Sequence, residues 1–210
     1  MEYYCISLAN RTDRRERTEK TFNQLKIPIR WWIVHKDPVG MNGCFKSHLT
    51  LWKKFRDSSS EEFLFMFEDD IELIGDWETA VSDILTKKVE APIINLSPWI
   101  LYSEHESDGW LKGKFINLSA YVIPRKYINQ VIDHVEKYYG SSLDFSTLDI
   151  PMIAKPVFQQ YESSSDISKY SFRSLKPVFK IPGVGKFVSY TILWNRSNPL
   201  LFKNTPIVQN

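Results

Sequence analysis

Three consecutive carboxylates follow the most apolar short segment of the chain. Residues 63–67 are all large and apolar, and Glu68, Asp69 and Asp70 come directly after them. Such a run is typical of a strand buried on both faces of a parallel sheet, where ligands bind at the carboxyl end. Adjacent like charges repel unless a cation offsets them, and Mg²⁺ and Mn²⁺ prefer carboxylate oxygen. The run therefore indicates a metal-diphosphate site, and a solvated acidic junction between strand and loop is the alternative.

A second chemical feature is a group of arginines in the first turns of a helix predicted over residues 10–25. They are Arg11, Arg14, Arg15 and Arg17. Cations at the start of a helix oppose its dipole, so the helix gains nothing from them. Helix N-termini and guanidinium groups both favour phosphate, so we expect an anion at this strand-to-helix corner. A solvated basic face is the other interpretation.

Further candidates lie on predicted helices and turns. Ser47 and His48 fall near the start of an amphipathic helix predicted over residues 43–56. A lone histidine in such a place is more often structural or exposed than ligand-binding. Asp144 and Asp149 fall in residues 141–155, before a short helix or turn, where an aspartate is often a helix cap. We expect Asp144 to be such a cap.

The elements that must position these residues alternate between strands and helices. Strands are predicted at residues 3–8, 31–35, 63–67, 92–96, 114–123 and 157–160, and helices begin near residues 10, 43, 75 and 124, with Pro124 in the first helical position. Residues 97–113 are polar and without period, which predicts a mobile loop. The pattern predicts an α/β fold with a central, mostly parallel mixed sheet flanked by helices. Residues 1–165 would form this domain and residues 166–210 a C-terminal tail packed on it.

The bulk composition excludes several classes of protein. Lys and Arg number 27 and Asp and Glu 25 among 210 residues, a balance that argues against a nucleic-acid-binding protein. Cys5 and Cys44 are the only cysteines, so we expect buried thiols and no disulfide framework. The first residues do not resemble a signal peptide, and no apolar stretch is long enough to span a bilayer. We therefore expect a cytoplasmic protein.

Three segments together resemble glycosyltransferase family 25, the lipooligosaccharide and procollagen galactosyltransferase family. Residues 5–15, C-I-S-L-A-N-R-T-D-R-R, resemble its opening I-N-L-x-x-R-x-D-R-R. Residues 43–52, G-C-F-K-S-H-L-T-L-W, resemble G-C-x-x-S-H-x-x-x-W, and residues 67–70, F-E-D-D, resemble L-E-D-D. Looser matches fall at residues 119–123 and 148–151. The resemblance covers roughly residues 3–165, with order and spacing preserved.

The chain departs from the family pattern at two positions near these motifs. Ser7 stands where the family usually has Asn, and Met41 where it commonly has Glu. The residues after about 165 resemble nothing in the family. These departures concern the nucleotide contacts and the acceptor.

The resemblance implies a GT-A type fold, a nucleotide-diphosphate sugar donor, usually a UDP-sugar, and a divalent cation, Mn²⁺ or Mg²⁺. Asp70 would be the first metal ligand, with Asp69 a second ligand or a ribose contact and Glu68 facing the base or ribose. The inverting stereochemistry of the family needs a carboxylate base on the acceptor side, for which Asp149 is the candidate and Asp144 the reserve. The remaining residues that the resemblance places near the donor are Ser7, Leu8, Arg11, Arg14, Arg15, Ser47 and His48.

The function predicted in this way is metal-dependent, inverting sugar transfer to a glycan, glycolipid or other hydroxyl acceptor, as in lipooligosaccharide biosynthesis. The alternative is a non-catalytic nucleotide-sugar-binding protein or a degenerate transferase. A magnesium-dependent nuclease shares the carboxylate chemistry but needs a basic groove, which the charge balance disfavours.

Overall fold

The structure is a computed structural model that describes residues 1–106, 108–139 and 141–161. The predicted tail, residues 166–210, lies outside the described residues. Among the described helices none is both long and apolar enough to cross a membrane.

Strands and helices alternate through the first half of the described chain, as predicted. The helices are α1 (Thr12–Gln24), α2 (Gly40–Ser58), α3 (Trp77–Leu85), α4 (Ile128–Glu136) and α5 (Leu143–Ser146). The strands are β1 (Glu2–Leu8), β2 (Arg30–Val34), β3 (Phe63–Glu68), β4 (Ile71–Leu73), β5 (Ile93–Asn95), β6 (Trp99–His105), β7 (Leu111–Ile116), β8 (Ala120–Pro124), β9 (Met152–Ala154) and β10 (Phe158–Gln160).

Eight of these strands form one mixed sheet in the order β2-β1-β3-β8-β5-β9-β7-β6. The predicted α/β class with a mixed sheet flanked by helices is confirmed. The pairing is less parallel than expected, because three of the seven described strand pairs are parallel and four are antiparallel. The reason is that β8 runs against both of its neighbours, and β7 runs against both β6 and β9.

The direction of the strands decides where a ligand can bind. Strand β8 is antiparallel to β3 and to β5, so β3 and β5 point the same way, together with β1 and β9. Their last residues, Leu8, Glu68, Asn95 and Ala154, therefore lie at one edge of the sheet, here called the carboxyl edge. Ligands of open α/β sheets bind at such an edge.

Strand β3 is the centre of the core, as its apolar run predicts. Leu64 and Met66 pack on one face with Trp52 of α2, and Phe65 and Phe67 pack on the other face with Phe22 of α1. All five apolar residues of β3 are buried. Glu68, the first polar side chain after this apolar run, is the last residue of the strand and is only partly buried.

The prediction of a mobile loop over residues 97–113 is wrong. Strand β6 and the start of β7 occupy this segment, and Trp110 is fully buried between them and α3, donating its indole N–H to Asp83 Oδ2 at 2.8 Å. The segment showed no period because it forms a hairpin at the far side of the sheet, where polar side chains alternate irregularly with buried ones.

The single strand predicted over residues 114–123 is also wrong. Asn117 has a left-handed backbone, with φ of 68°, and separates β7 from β8. Pro124 ends β8 instead of starting a helix, and a 3₁₀ turn, Arg125–Tyr127, leads into α4. Strand β9 and the break at Asn117 left no clear mark in the hydrophobic pattern.

Gly113 offers a test of the close packing in the β6–β7 hairpin. A Cβ at this position would lie 2.1 Å from the carbonyl oxygen of Tyr102, which is backbone and cannot move aside. Gly113→Ala should lower the free energy of unfolding by about 1–3 kcal/mol, measured by chemical denaturation. Lys112→Ala, on the exposed side of the same strand, is the control, and equal effects of the two changes would refute the packing.

Candidate functional site

The three carboxylates at the end of β3 divide between two sides of the carboxyl edge. Glu68 faces α2, where its Oε1 lies 3.3 Å from His48 Nε2. Asp69 and Asp70 form the turn after the strand and face Arg14 on α1. Dividing the charges reduces the repulsion that three adjacent carboxylates would suffer on one side.

Arg14 forms a buried double ion pair with the two aspartates. Its Nη1 lies 3.2 Å from Asp69 Oδ1 and 3.1 Å from Asp70 Oδ2, and all three side chains are almost fully buried. One turn further along α1, Thr18 donates its hydroxyl to the backbone carbonyl of Asp69 at 2.7 Å. The structure thus supplies a protein cation for part of the charge that the sequence predicted to need one.

The other arginines of α1 also have protein partners. Arg15 donates to the Ser7 hydroxyl at 2.8 Å, to the carbonyl oxygen of Leu8, which ends β1, and to that of Ala9, the next residue. Their unfavourable place on the helix dipole is therefore explained without an anion, and their predicted contact with the donor stays a prediction. Arg11 pairs with Asp13, and Arg17 pairs with Glu72.

Burial changes the proton affinity of the two aspartates. Burial raises the pKa of Asp69, although the Ser7 hydroxyl and the Arg14 guanidinium oppose the change. Burial, followed by the repulsion from Glu68, raises the pKa of Asp70 to about 7. The Oδ2 atom of Asp69 is buried and has no hydrogen-bond partner among the described residues. An unsatisfied carboxylate oxygen beside a second carboxylate is the donor set that Mn²⁺ or Mg²⁺ prefers, so these residues fit the predicted cation.

Strand β10 brings Gln160, and the adjoining Tyr161, into contact with the site, and no local sequence feature predicts this contact. The side-chain amide of Gln160 lies 3.4 Å from Glu68 Oε2 and 3.3 Å from Asp70 Oδ1, so it donates between the two carboxylates. Tyr161 donates its backbone N–H to the Asp70 carbonyl at 2.9 Å and its hydroxyl to the Asp69 carbonyl at 3.1 Å. The strand itself was predicted, but its antiparallel pairing with β4, which brings Gln160 here, has no local signal.

The G-C-x-x-S-H segment of α2 supports Glu68. Cys44 and His48 lie one turn apart, and Cys44 Sγ is 3.8 Å from the same Glu68 oxygen that His48 approaches. Burial, and then the field of Glu68, raises the pKa of the Cys44 thiol, which therefore stays protonated and donates. Ser47 instead donates its hydroxyl to the Gly43 carbonyl at 2.6 Å, along the helix axis. The structure brings His48 to Glu68 and leaves Ser47 bonded to its own helix.

Asp144 belongs to this side of the carboxyl edge, and its interpretation as a helix cap is wrong. The cap of α5 is Ser142, whose hydroxyl accepts from the Phe145 N–H at 3.2 Å. Asp144 instead accepts the backbone N–H of Asn117 at 2.9 Å. Burial, and then repulsion from Glu68, raises the pKa of Asp144 to about 6.

Asp149 lies in a different environment. Its side chain is 66% exposed and pairs with Lys114 Nζ at 3.3 Å. Of the two aspartates, Asp144 is the one for which the structure shows repulsion from Glu68. The sequence does not reveal this interaction, so it could not be used to choose between Asp144 and Asp149. The role of Asp149 as a base stays a prediction.

The raised pKa of Asp144 predicts a pH-dependent stability. The unfolded chain loses this proton near its ordinary pKa of 3.8, whereas the native state holds it to about 6. The free energy of unfolding therefore falls as the pH rises through this window and stays low above it. Asp144→Asn keeps an oxygen for the Asn117 N–H and removes the charge. The variant should exceed the parent by about 1–3 kcal/mol at about pH 7.5 and converge with it near about pH 4.

The measurement is chemical denaturation at both pH values, without divalent cations. Asp149→Asn is the matched control, since an exposed substitution should change the free energy of unfolding by no more than about 0.5 kcal/mol at either pH. An Asp144→Asn variant that is less stable than the parent at the higher pH would show that the carboxylate stabilises the fold.

Part of this sequence is similar to known proteins. Residues 39–130 match the family model described as glycosyltransferase family 25 (LPS biosynthesis protein). The lipooligosaccharide biosynthesis protein lic2B of Haemophilus influenzae is 31% identical over 93 residues, which cover 35% of this chain and 34% of that protein. This chain therefore spans about a third of the length of that relative.

Solved structures are similar to this chain only at low sequence identity. A crystal structure of an STIV protein has a TM-score of 0.48 and 12% identity, covering 79% of this chain and 87% of the other. A glycosyltransferase involved in the glycosylation of the major capsid of PBCV-1 has a TM-score of 0.45 and 8% identity, covering 76% and 93%. The sequence match, by contrast, runs from the start of α2 to the start of α4. Over the segment that carries Cys44, His48, Glu68 and Asp70, the chain resembles glycosyltransferase family 25.

Proposed function

We propose that the protein is a metal-dependent glycosyltransferase of GT-A type that moves a sugar from a UDP-sugar to a hydroxyl of a glycan or glycolipid. The observation that carries the proposal is that the Gln160 amide joins Glu68 and Asp70 at the carboxyl edge, within the segment that resembles the family, while burial, and then repulsion from Glu68, raises the pKa of Asp144 beside it. Lipooligosaccharide biosynthesis in the cytoplasm is the setting that the relative and the sequence favour.

Asp70 and Asp69 would hold the divalent cation, Mn²⁺ or Mg²⁺. Such an ion, when bound, supplies Lewis-acid stabilisation of the departing diphosphate. The two aspartates are already oriented for this role, because Arg14 holds one oxygen of each and Tyr161 holds both of their backbone carbonyls. The buried Oδ2 of Asp69, which has no hydrogen-bond partner among the described residues, would gain one from the cation.

Arg14 would act on the donor through the aspartates. Its guanidinium partly neutralises the two aspartates. With the smaller net negative charge, one divalent ion and an anionic diphosphate would bind there together. Arg15 and Ser7 fix the end of β1 beside this pair, and Arg11 lies at the first turn of α1. These residues shape the donor side of the edge, and a direct phosphate contact by Arg11 or Arg15 is part of the proposal.

The geometry favours Asp144 over Asp149 as the base that takes the acceptor proton in an inverting transfer. A general base works best when its pKa lies near the working pH, and the pKa of Asp144 is raised to about 6 beside Glu68. Asp149 pairs with Lys114 at the surface. The same short segment of backbone contacts both Asp144 and the carboxyl edge. The Asn117 N–H donates to Asp144, and two residues further on the Ser119 carbonyl accepts the Glu68 N–H.

Loss of Asp70 tests the metal part of the proposal. Asp70→Asn should weaken Mn²⁺-dependent UDP binding at least about 100-fold, because removing outer-shell groups alone costs about 10–100-fold in metal sites. Isothermal titration of UDP with and without Mn²⁺ measures this, and circular dichroism checks that the fold is kept. Glu72→Gln is the control, since Glu72 lies two residues away and pairs with the exposed Arg17. Parent-like Mn²⁺ dependence in Asp70→Asn would refute the site.

A paired comparison identifies the base. Asp144→Asn should lower the transfer rate about 10²–10⁴-fold while UDP and Mn²⁺ binding stay near the parent values, because a general base acts only on the acceptor proton. Asp149→Asn should retain most of the rate. The reverse ranking would restore Asp149 as the base. Binding of UDP with Mn²⁺, but no donor hydrolysis or transfer by the parent, would identify a nucleotide-sugar-binding protein instead.

A further inference from the structure

A chain of buried polar groups, here called the relay, leads from the core to Glu68; it consists of Trp52, Tyr121 and His48. Trp52 Nε1 lies 2.8 Å from the Tyr121 hydroxyl, which lies 2.7 Å from His48 Nδ1. His48 Nε2 then lies 3.3 Å from Glu68 Oε1, with Cys44 Sγ near the same oxygen. Trp52, Tyr121 and His48 are each at most 1% exposed, so water does not replace these partners.

The direction of the hydrogen bonds follows from the donors. An indole nitrogen can only donate, so Trp52 gives its hydrogen to the Tyr121 oxygen. The Tyr121 hydroxyl hydrogen is buried and needs an acceptor of its own, since an unmade buried hydrogen bond is costly. His48 Nδ1, at 2.7 Å, is that acceptor. The hydrogen of the neutral ring must then be on Nε2, from which it is donated to Glu68.

We propose that Tyr121, supported by Trp52, is a positioning residue that fixes His48 in the neutral Nε2–H tautomer. In this tautomer His48 orients the Glu68 carboxylate to accept a hydrogen bond from a hydroxyl of the bound sugar donor. The inference rests on the proposed function for the identity of the ligand. The tautomer itself depends only on the buried contacts.

Glu68 has the acceptor capacity that this role needs. Its carboxylate offers about four lone-pair sites. Cys44 and His48 approach Oε1, and Gln160 approaches Oε2 at 3.4 Å. The side chain is 23% exposed, so the remaining capacity faces outward at the carboxyl edge. The hydroxyls of a ribose or of the transferred sugar are ligands of this chemistry.

A metal site on the same residues is the competing interpretation. Ligand atoms of Cys44, His48 and Glu68 lie within 4.8 Å of one another. A metal on His48 Nε2 would force the ring hydrogen onto Nδ1, which would then donate to Tyr121. The Tyr121 hydroxyl hydrogen would lose its acceptor among the described residues, so the contacts favour the metal-free relay.

The test is the ring ¹⁵N spectrum of the full chain at about pH 8. The His48 signals are assigned by their loss in His48→Gln. We expect a protonated, pyrrole-type Nε2 and an unprotonated, pyridine-type Nδ1. The opposite tautomer overturns the proposal, as does a shift of Nε2 on adding Zn²⁺ to the parent but not to Cys44→Ser.

Two variants separate the positioning role from a structural one. Tyr121→Phe keeps the ring and removes the hydroxyl, so His48 should populate both tautomers. Trp52→Phe keeps the Tyr121 hydroxyl, and its His48 should stay Nε2–H. If Tyr121→Phe does not fold, the parent spectrum still decides the tautomer. An unchanged tautomer in folded Tyr121→Phe would overturn the proposal.

The ligand part is measured with a panel of UDP-hexoses and Mn²⁺. Tyr121→Phe should weaken the best-bound UDP-hexose about tenfold relative to the parent, the equivalent of one hydrogen bond, and Trp52→Phe should weaken it less. Parent-like affinity in Tyr121→Phe with a scrambled tautomer would overturn the role of the relay in binding. If no UDP-hexose binds the parent while the tautomer is as expected, the proposed function fails and the relay stands.

Discussion

The close placement of three adjacent carboxylates, two of them buried and one partly buried, is the constraint on which the carboxyl edge depends. Glu68, Asp69 and Asp70 follow a strand that is covered on both faces, so they cannot all turn to water. The structure places one charge toward α2 and two toward α1. Each side then needs its own compensation, because an unpaired buried charge is far more costly than any single hydrogen bond contributes. The neighbouring elements supply that compensation in two different ways.

On the α1 side the compensation is ionic. Arg14 binds both aspartates, which explains why a helix tolerates an arginine in its first turns. On the α2 side it consists of neutral donors: the Cys44 thiol, the His48 imidazole and the Gln160 amide. Neutral donors orient a carboxylate and leave its charge in place. The field of Glu68 therefore persists, and it contributes to the raised pKa values of Asp70 and Asp144.

The sequence could predict β3, its buried faces and the acids at its end, because each is encoded in one contiguous run. It could also predict α2, whose apolar positions keep a helical period. It could not predict that β8 runs against β3, or that Asn117 breaks a strand, since both depend on partners distant in the chain. Asp144 was misread for the same reason, because its partner Asn117 lies 27 positions away. Gln160 reaches the site only through the pairing of β10 with β4.

The motif on α2 illustrates why a functional pattern can be recognised before it is understood. Cys44 and His48 are one helical turn apart, so both reach a single oxygen of Glu68 at the sheet edge. Tyr121 on β8 and Trp52 one turn beyond His48 hold the ring from behind. A well-packed apolar group in place of Glu68 would remove the repulsion that contributes to the raised pKa values of Asp70 and Asp144. We propose that this unfavourable electrostatics is retained for a ligand that relieves it, in line with the common trade-off between stability and function.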